Sequence, residues 1–266
     1  MGFLLGKTAV ITGGGRAVLS DGGCGSIGYG IAVAYAKEGA NLVITGRNVK
    51  KLEDAKEELE RLYGVNVLPV QADVSKDGDN EKVVRNVVDR AVETFGGIDV
   101  LINNAQASAS GITLADHTTE QFDLAVYSGL YATFYYMKAC YPYLKKVKGN
   151  GYKLCFGCRT FRKLRSVCIC SRKRGNKRSY KSCRQRVGQG RINVNIVCPL
   201  AWTAQLEKFE QAYPDAFKAN VKMPPMGHFG DVEKEIGRAC VALASPDFKY
   251  MSGETITLEG GMGLRP

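Results

Sequence analysis

The first candidate binding site in the chain is a glycine-rich loop between an apolar segment and an alanine-rich segment. The loop runs from Gly13 to Gly28 and contains Gly15 and Ser26. The residues before it are typical of a buried strand, and those after it are typical of a helix. Glycines let the main chain pass close to a bound group, and the free N–H groups of a helix N-terminus attract anions. The loop therefore predicts a site for the phosphates of a dinucleotide, with a plain structural turn as the alternative.

The end of the next apolar segment indicates which dinucleotide this is. Thr45-Gly46-Arg47 closes that segment, and no carboxylate stands there to accept hydrogen bonds from an unmodified ribose. Arg47 offers instead a planar, permanently charged group for a 2′-phosphate. We therefore expect NADP rather than NAD; the alternative is that Arg47 is a solvated surface arginine.

Strands that alternate with helices must position these residues. Apolar spacing predicts helices over residues 27–37, 49–63 and 79–95, and strands over residues 7–12, 41–45, 65–70 and 100–102. Two further helices are expected between residues 111 and 144. This alternation predicts a parallel sheet that is covered by helices on both faces.

The order of the motifs along the chain resembles the short-chain dehydrogenase/reductase family. After the glycine loop come Asp73-Val74, Asn103-Asn104-Ala105, 193–199 and 252–261, so the resemblance covers residues 1–150 and 192–266. It implies an α/β protein, a single-domain Rossmann fold over residues 1–266 with a parallel seven-stranded sheet and helices on both faces. It also implies a cofactor half, 1–110, and a catalytic and substrate half, 111–266.

The resemblance implies a set of cofactor contacts. Asp73 and Val74 would line the adenine, Asn103 and Ala105 the ribose, and the later residues the nicotinamide side. The full set is Gly13, Gly15, Arg16, Ser26, Ile27, Arg47, Asp73, Val74, Asn103, Ala105, Lys173, Pro199 and Thr203.

Three segments narrow the resemblance to a group within the family. Residues 15–21, 104–110 and 199–203 are similar to those of bacterial 12α-hydroxysteroid dehydrogenases. The similarity implies an NADP-dependent interconversion of a 12α-hydroxyl and a 12-oxo group on bile acids, and a homotetramer. Residues 201–229 are rich in apolar and aromatic side chains and resemble a substrate lid; lid self-packing is the alternative.

Three departures from the family pattern stand out. Gly13 to Gly28 spans 15 positions where the family usually has six, so the loop carries nine extra residues. Gln106 replaces a glycine. Gly129, flanked by Ser128, stands where the family often has a catalytic asparagine, which puts the family's usual proton relay in doubt.

Most of the excess positive charge lies in one segment. The chain has a net charge of +11, but residues 151–191 hold 14 Lys or Arg, no Asp or Glu, and five of the nine cysteines. The remainder has 37 − 14 = 23 basic and 26 acidic residues, a balance of −3. The fold as a whole therefore gives no reason to expect a nucleic-acid or membrane partner.

The same segment should hold the family's fifth strand, active-site Ser and Tyr-x-x-x-Lys motif, and the printed residues contain none of them. One explanation is a zinc knuckle built from Cys155, Cys158, Cys168 and Cys170, although the second pair has the wrong spacing. A basic RNA-binding insert is the second, although the segment replaces a required piece rather than adding to it. The third, which we favour, is a shifted reading frame.

A +1 reading of the segment recovers the missing chemistry. It takes bases two and three of each codon with base one of the next, and it can place Ser at Phe156, Tyr at Ile169 and Lys at Lys173. These three positions are the expected catalytic residues, and no metal is expected. The printed Phe156 and Ile169 cannot transfer a proton. A chain that folds as printed should lose a central strand and be an inactive scaffold or a basic nucleic-acid-binding protein.

The first residues and the lengths of the apolar runs indicate where in the cell the protein is expected. Met1 to Lys7 has neither the basic region nor the length of a signal peptide, and no apolar run is long enough to span a bilayer. We therefore expect a cytoplasmic protein.

Overall fold

Seven strands and eight α-helices make up the framework of a computed structural model, which describes residues 2–75, 80–109, 112–113, 115–147, the backbone of 150–154, and 192–262. The strands are β1 Thr8–Thr12, β2 Asn41–Gly46, β3 Val67–Gln71, β4 Val100–Asn103, β5 Asn150–Leu154, β6 Asn193–Pro199 and β7 Thr255–Leu258. The described α-helices are α1 Ile27–Lys37, α2 Val49–Tyr63, α3 Asn80–Phe95, α4 Thr119–Val126, α5 Ala132–Val147, α6 Ala204–Ala212, α7 Pro214–Asn220 and α8 Arg238–Ala244.

The strands form one parallel sheet in the order β3-β2-β1-β4-β5-β6-β7. The expected seven-stranded Rossmann-type sheet is therefore confirmed. The chain runs outward from β1 to β3 and then returns to place β4 on the other side of β1. This reversal puts the point where such sheets bind ligands between the carboxyl ends of β1 and β4.

β5 corrects one expectation. We expected a chain that folds as printed to lose the central strand, yet Asn150–Leu154 pairs in parallel with both β4 and β6. A central strand is held by main-chain hydrogen bonds to both neighbours, and this stretch has no proline to interrupt them. The strand therefore forms in the printed sequence.

Both faces of the sheet are buried, as expected of a parallel sheet covered by helices. Ile11 and Ile44 belong to the apolar cluster that contains α1, while their neighbours Val10 and Val43 belong to the cluster that contains α3 and α5. The alternation follows from the two-residue period of a strand.

The early helices begin and end at recognisable residues. Ser26 caps α1; Asn48 caps α2 by accepting a hydrogen bond from the Lys51 amide, and Gly64, at a φ of 63°, ends α2. Both helices match their predicted bounds. β3 begins two residues later than predicted.

The predicted pair of helices between residues 111 and 144 is present but continuous. α4 passes into α5 through a π-helix, Tyr127–Tyr131. A second π-helix, Val232–Gly237, precedes α8 and packs on α1 so closely that a Cβ on Gly30 would lie 2.5 Å from the Val232 carbonyl oxygen. In the described part of the chain, no helix is both long and apolar enough to cross a membrane.

Candidate active site

The described residues of the predicted site lie at one edge of the sheet. Thr12, Gly46, Asn103 and Pro199 are the last residues of β1, β2, β4 and β6. Because parallel strands end at the same edge, these residues border a single cleft at the point where the strand order reverses.

The Thr12 hydroxyl joins the ends of β1 and β4. Its Oγ1 accepts hydrogen bonds from the amides of Asn104 and Ala105, both at 2.9 Å, and lies 3.3 Å from the Ile102 carbonyl oxygen. The Asn104 side chain returns a hydrogen bond of 2.8 Å to the Thr12 carbonyl. We call this arrangement the Thr12–Asn104 clasp. Neither Thr12 nor Asn104 was predicted as a site residue, although a hydroxyl at the end of a buried strand and an Asn-Asn pair were visible signals in the sequence.

Replacing Thr12 with valine should loosen the clasp. The variant keeps the shape but removes the acceptor for two main-chain amides, and one buried unsatisfied group costs about 1–3 kcal/mol. We expect a lower melting temperature and weaker dinucleotide binding, measured by thermal unfolding and by fluorescence titration. Thr8→Val is the control, because Thr8 is as buried on β1 but lies at the opposite end of the strand. Equal effects of the two substitutions would contradict the clasp.

The glycine loop fits an anion at the start of α1. Gly13 has a φ of +73°, and its amide donates to the Thr45 carbonyl oxygen at 2.7 Å. A Cβ on Gly28 would lie 2.1 Å from the Gly13 carbonyl oxygen, so the first turn of α1 packs directly behind the loop. Ser26 caps the helix, and Ile27 is buried as its first residue. A helix N-terminus approached this closely by a glycine loop suits the pyrophosphate of a dinucleotide.

Arg16 contacts α2 through both its main chain and its side chain. Its amide donates to the Lys51 carbonyl oxygen at 2.7 Å, and its Nε lies 2.6 Å from a Glu58 carboxylate oxygen. The buried Tyr29 donates its hydroxyl to the other Glu58 oxygen. Burial alone would raise the pKa of Glu58, but the hydrogen bonds from Tyr29 and Arg16 outweigh it and lower that pKa. Burial is also the main cause of the raised pKa of Tyr29.

Arg47 lies exposed just beyond β2. Its carbonyl oxygen accepts a hydrogen bond from Gln71 at 3.0 Å, and its guanidinium makes no ion pair with any described residue. A Cβ built on Gly15 would lie 3.2 Å from the Lys51 Cβ and 3.6 Å from the Lys51 carbonyl oxygen, so the glycine loop lies beside the first turn of α2. Arg47 and Lys51 thus form a basic corner at the carboxyl end of β2, whereas the charge of Arg16 is paired with Glu58.

The other predicted contacts divide by exposure. Asp73 is exposed, and its Oδ1 accepts hydrogen bonds from the amide and hydroxyl of Ser75. Val74 and Asn103 are buried, and the Ala105 amide belongs to the clasp. All four lie after β3 or at the end of β4, on the cleft edge.

Ser128 precedes Gly129, the residue that stands where the family often has asparagine. Its buried hydroxyl accepts a hydrogen bond from the Ala107 amide at 2.9 Å and donates to the Leu124 carbonyl oxygen at 2.6 Å. The residue lies in the π-helix Tyr127–Tyr131, a distortion that often marks functional sites. Ser128 therefore ties the loop after β4 to the helical run beside it.

The second wall of the cleft comes from the segment after β6. Pro199 ends the strand, and the Thr203 side chain caps α6 by accepting from the Leu206 amide at 3.3 Å. Trp202 packs against Phe217 and Phe229, with ring centroids 6.1 and 5.6 Å apart. These rings give the expected lid, residues 201–229, a core of its own, which agrees with self-packing for these three side chains.

The expected catalytic positions Phe156, Ile169 and Lys173 lie outside the described residues, as do Cys155, Cys158, Cys168 and Cys170. β5 ends at Leu154 on the cleft edge, two residues before Phe156. Within the residues that the structure describes, no group of three or more His, Cys, Asp or Glu side chains could hold a metal ion.

Comparison with known proteins agrees with this geometry. A family model described as enoyl-(acyl carrier protein) reductase matches residues 22–263. The chain is 57% identical over 266 residues to 12alpha-hydroxysteroid dehydrogenase of a Clostridium species, an alignment that covers 100% of both chains. It is 32% identical over 262 residues to the uncharacterized oxidoreductase YhxC of Bacillus subtilis, covering 97% of this chain and 85% of that one.

Solved structures share the fold. L-sorbose reductase from Gluconobacter frateurii, crystallised with NADPH and L-sorbose, superposes with a TM-score of 0.84 at 25% identity, covering 99% of this chain and 98% of that one. A putative short-chain dehydrogenase/reductase from Burkholderia xenovorans gives a TM-score of 0.86 at 24% identity over 100% of both chains. The chain therefore belongs to the short-chain dehydrogenase/reductase family of nicotinamide-dependent oxidoreductases.

Proposed function

We propose that this protein, read in its natural frame, is an NADP-dependent oxidoreductase that interconverts a 12α-hydroxyl and a 12-oxo group on bile acids. The observation that carries the proposal is the 57% identity, over the whole of both chains, with a 12alpha-hydroxysteroid dehydrogenase. An identity at that level, without a gap in coverage, supports a shared substrate class more strongly than fold similarity does.

The catalytic part of the proposal rests on the +1 reading of residues 151–191. The alignment with the Clostridium enzyme runs through the whole of both chains, which supports a replaced segment rather than an added one. Sequencing the gene across codons 150–191 tests this reading, and the absence of paired compensating insertions and deletions would contradict it.

Four groups carry the proposed reaction. The nicotinamide, when bound, supplies the hydride acceptor or donor. A Tyr at position 169 exchanges a proton with the substrate oxygen, and Lys173 lowers its pKa from the ordinary value near 10 toward the working pH. A Ser at position 156 donates a hydrogen bond to the same oxygen.

The choice of NADP rests on Arg47 and on the basic corner around it. Arg47→Ala should raise the Kd for NADPH about tenfold to hundredfold and leave that for NADH almost unchanged, because only NADPH carries the 2′-phosphate. Fluorescence titration of both nucleotides measures the difference. Arg61→Ala is the matched control, because Arg61 lies in the last turn of α2, away from the cleft edge. Equal losses for both nucleotides would contradict the assignment.

The bile-acid assignment gains support from the lid. Tyr213, Met223 and Met226 of the lid are exposed at 63%, 57% and 66%. Exposed apolar side chains beside a cleft suit a large, rigid, apolar substrate such as a steroid.

We further propose a cytoplasmic homotetramer formed by one domain, with residues 1–110 as its cofactor half and 111–266 as its catalytic half. Exposed aromatic side chains on α4, on the π-helix that follows it and on α5, at Phe122, Tyr131 and Phe134, support a contact between subunits. Light scattering should then give about four times the 28.9 kDa chain mass.

The assay for the proposed reaction follows NADPH absorbance with a 12-oxo bile acid. Oxidation that depends on both compounds supports it. No consumption by a chain restored to a Ser at position 156, a Tyr at position 169 and a Lys at position 173 would overturn it. Heparin retention serves as the assay for the alternative, a basic nucleic-acid-binding protein.

A further inference from the structure

The nine extra residues of the glycine loop form a small hairpin. Val18 and Cys24 pair in antiparallel fashion, the Leu19 amide donates to the Gly23 carbonyl oxygen at 2.8 Å, and the Gly25 amide donates to the Ala17 carbonyl oxygen at 2.7 Å. We call residues 17–25 the tongue. Because hydrogen bonds within the tongue hold it together, it is an ordered hairpin rather than an irregular extension of the loop.

The tip of the tongue contacts the first turn of the lid helix α6. Ser20 donates its amide to both oxygens of Glu207, at 3.3 and 3.1 Å, and its hydroxyl to one of them at 2.6 Å. Three hydrogen bonds to one carboxylate fix both the position and the orientation of the tip. Glu207 is 187 residues away in the sequence, so this contact is tertiary.

The base of the tongue contacts the same helix. The Ala204 amide, one of the amides at the start of α6 that lack a helical partner, donates to the Gly25 carbonyl oxygen at 2.8 Å. A Cβ on Gly25 would lie 2.9 Å from the Ala204 Cβ and 2.8 Å from the Val18 carbonyl carbon, so no side chain fits there. The tongue is therefore bound to α6 at two places, through Ser20 at its tip and through Gly25 at its base.

We propose that the tongue is a latch that makes the cofactor loop and the lid helix move as one unit, with Ser20 and Glu207 as its positioning residues. Gly25 and Ser26 are adjacent, so the tongue leads directly into the N-terminus of α1, where the pyrophosphate is expected. On the other side, Thr203 caps α6 next to the expected nicotinamide position. A dinucleotide that orders the loop would therefore also order the lid, before any substrate arrives.

Hydrogen exchange of the α6 amides tests the latch in the chain as it stands, because no turnover is needed. Glu207→Ala should speed exchange in α6 roughly threefold to tenfold without cofactor. Glu210→Ala on the same helix, whose side chain makes no hydrogen bond to the tongue, should change it little. Unchanged α6 exchange in Glu207→Ala would overturn the proposal.

Further variants separate the contact from a general effect on the helix. Ser20→Ala, which leaves α6 untouched, should give an intermediate increase, and adding it to Glu207→Ala should add nothing further. Gly25→Ala should speed α6 exchange by pushing the helix away. Additive effects of Ser20→Ala and Glu207→Ala would show two independent contacts and contradict a single latch.

A second hydrogen-exchange comparison, made with NADPH added, rests on the proposed function. In the unaltered chain, NADPH should slow exchange in both the tongue and α6, whereas in Glu207→Ala it should slow exchange near the loop alone. Protection of α6 by NADPH in Glu207→Ala would contradict the latch. No protection anywhere in the unaltered chain would overturn NADP binding, while the cofactor-free comparison would still decide the latch.

Discussion

Restoring the +1 frame across residues 151–191 is expected to turn an inactive chain into a working dehydrogenase. The printed Phe156 and Ile169 offer neither a hydrogen-bond donor to the substrate oxygen nor a group that can exchange its proton. Each of these roles is typically worth about 10²-fold or more, so the combined gain should be about 10⁴-fold or larger. Initial rates of NADPH oxidation with a 12-oxo bile acid measure it.

Two controls make this comparison specific. A restored chain with Phe in place of the Tyr at position 169 should lose the gain while it keeps the strand, the helix and the charge balance of the restored segment. Titration with NADPH should give similar affinities for the printed and restored chains, since the described cofactor contacts are common to both. Full activity of the printed chain would refute the shifted-frame account.

Gly28→Ala should greatly weaken cofactor binding. The added methyl would lie 2.1 Å from the Gly13 carbonyl oxygen and 2.5 Å from the Asn104 side-chain nitrogen, so the loop and the clasp must both move. Overpacking of this kind costs about 1–3 kcal/mol or more in stability, and we expect the Kd for NADPH to rise at least about 100-fold. Titration calorimetry and thermal unfolding measure the two effects.

Gly97→Ala is the matched control for that substitution. A Cβ on Gly97 has no heavy atom within 4 Å, and the residue has no positive φ. The variant should bind and unfold as the unaltered chain does. If Gly28→Ala bound NADPH normally, the close contact between the loop and α1 would not be a requirement of the site.

Much of the framework could be predicted because its signals are local. The bounds of α1 and α2 follow from apolar spacing and from caps at Ser26 and Asn48, which depend on neighbouring residues alone. The position of the glycine loop between β1 and α1 was predictable for the same reason. The parallel sheet follows from the alternation of strands and helices.

Other parts depend on contacts between distant residues, which no local pattern records. Glu58 lies 42 residues from Arg16, and nothing in the spacing of α2 indicated that it would hold that guanidinium. The clasp similarly needs β1 and β4 to be neighbours. The tongue could be recognised as extra length, but its partner Glu207 could not.

β5 was mispredicted for a related reason. Its residues lack the alternation of a typical strand, yet β4 and β6 supply hydrogen-bonding partners on both sides. Pairing by the main chain overrode weak local preference, which is common for central strands.

The persistence of β5 has a consequence for how such a gene would fare in a cell. Chaperones and proteases act on the unfolded fraction of a protein, which is set by its stability. A chain whose sheet remains complete presents them with little to remove, even when the residues that follow the strand no longer serve catalysis. Damage to the coding sequence at this point would then lower the enzymatic activity in the cell without lowering the amount of the protein.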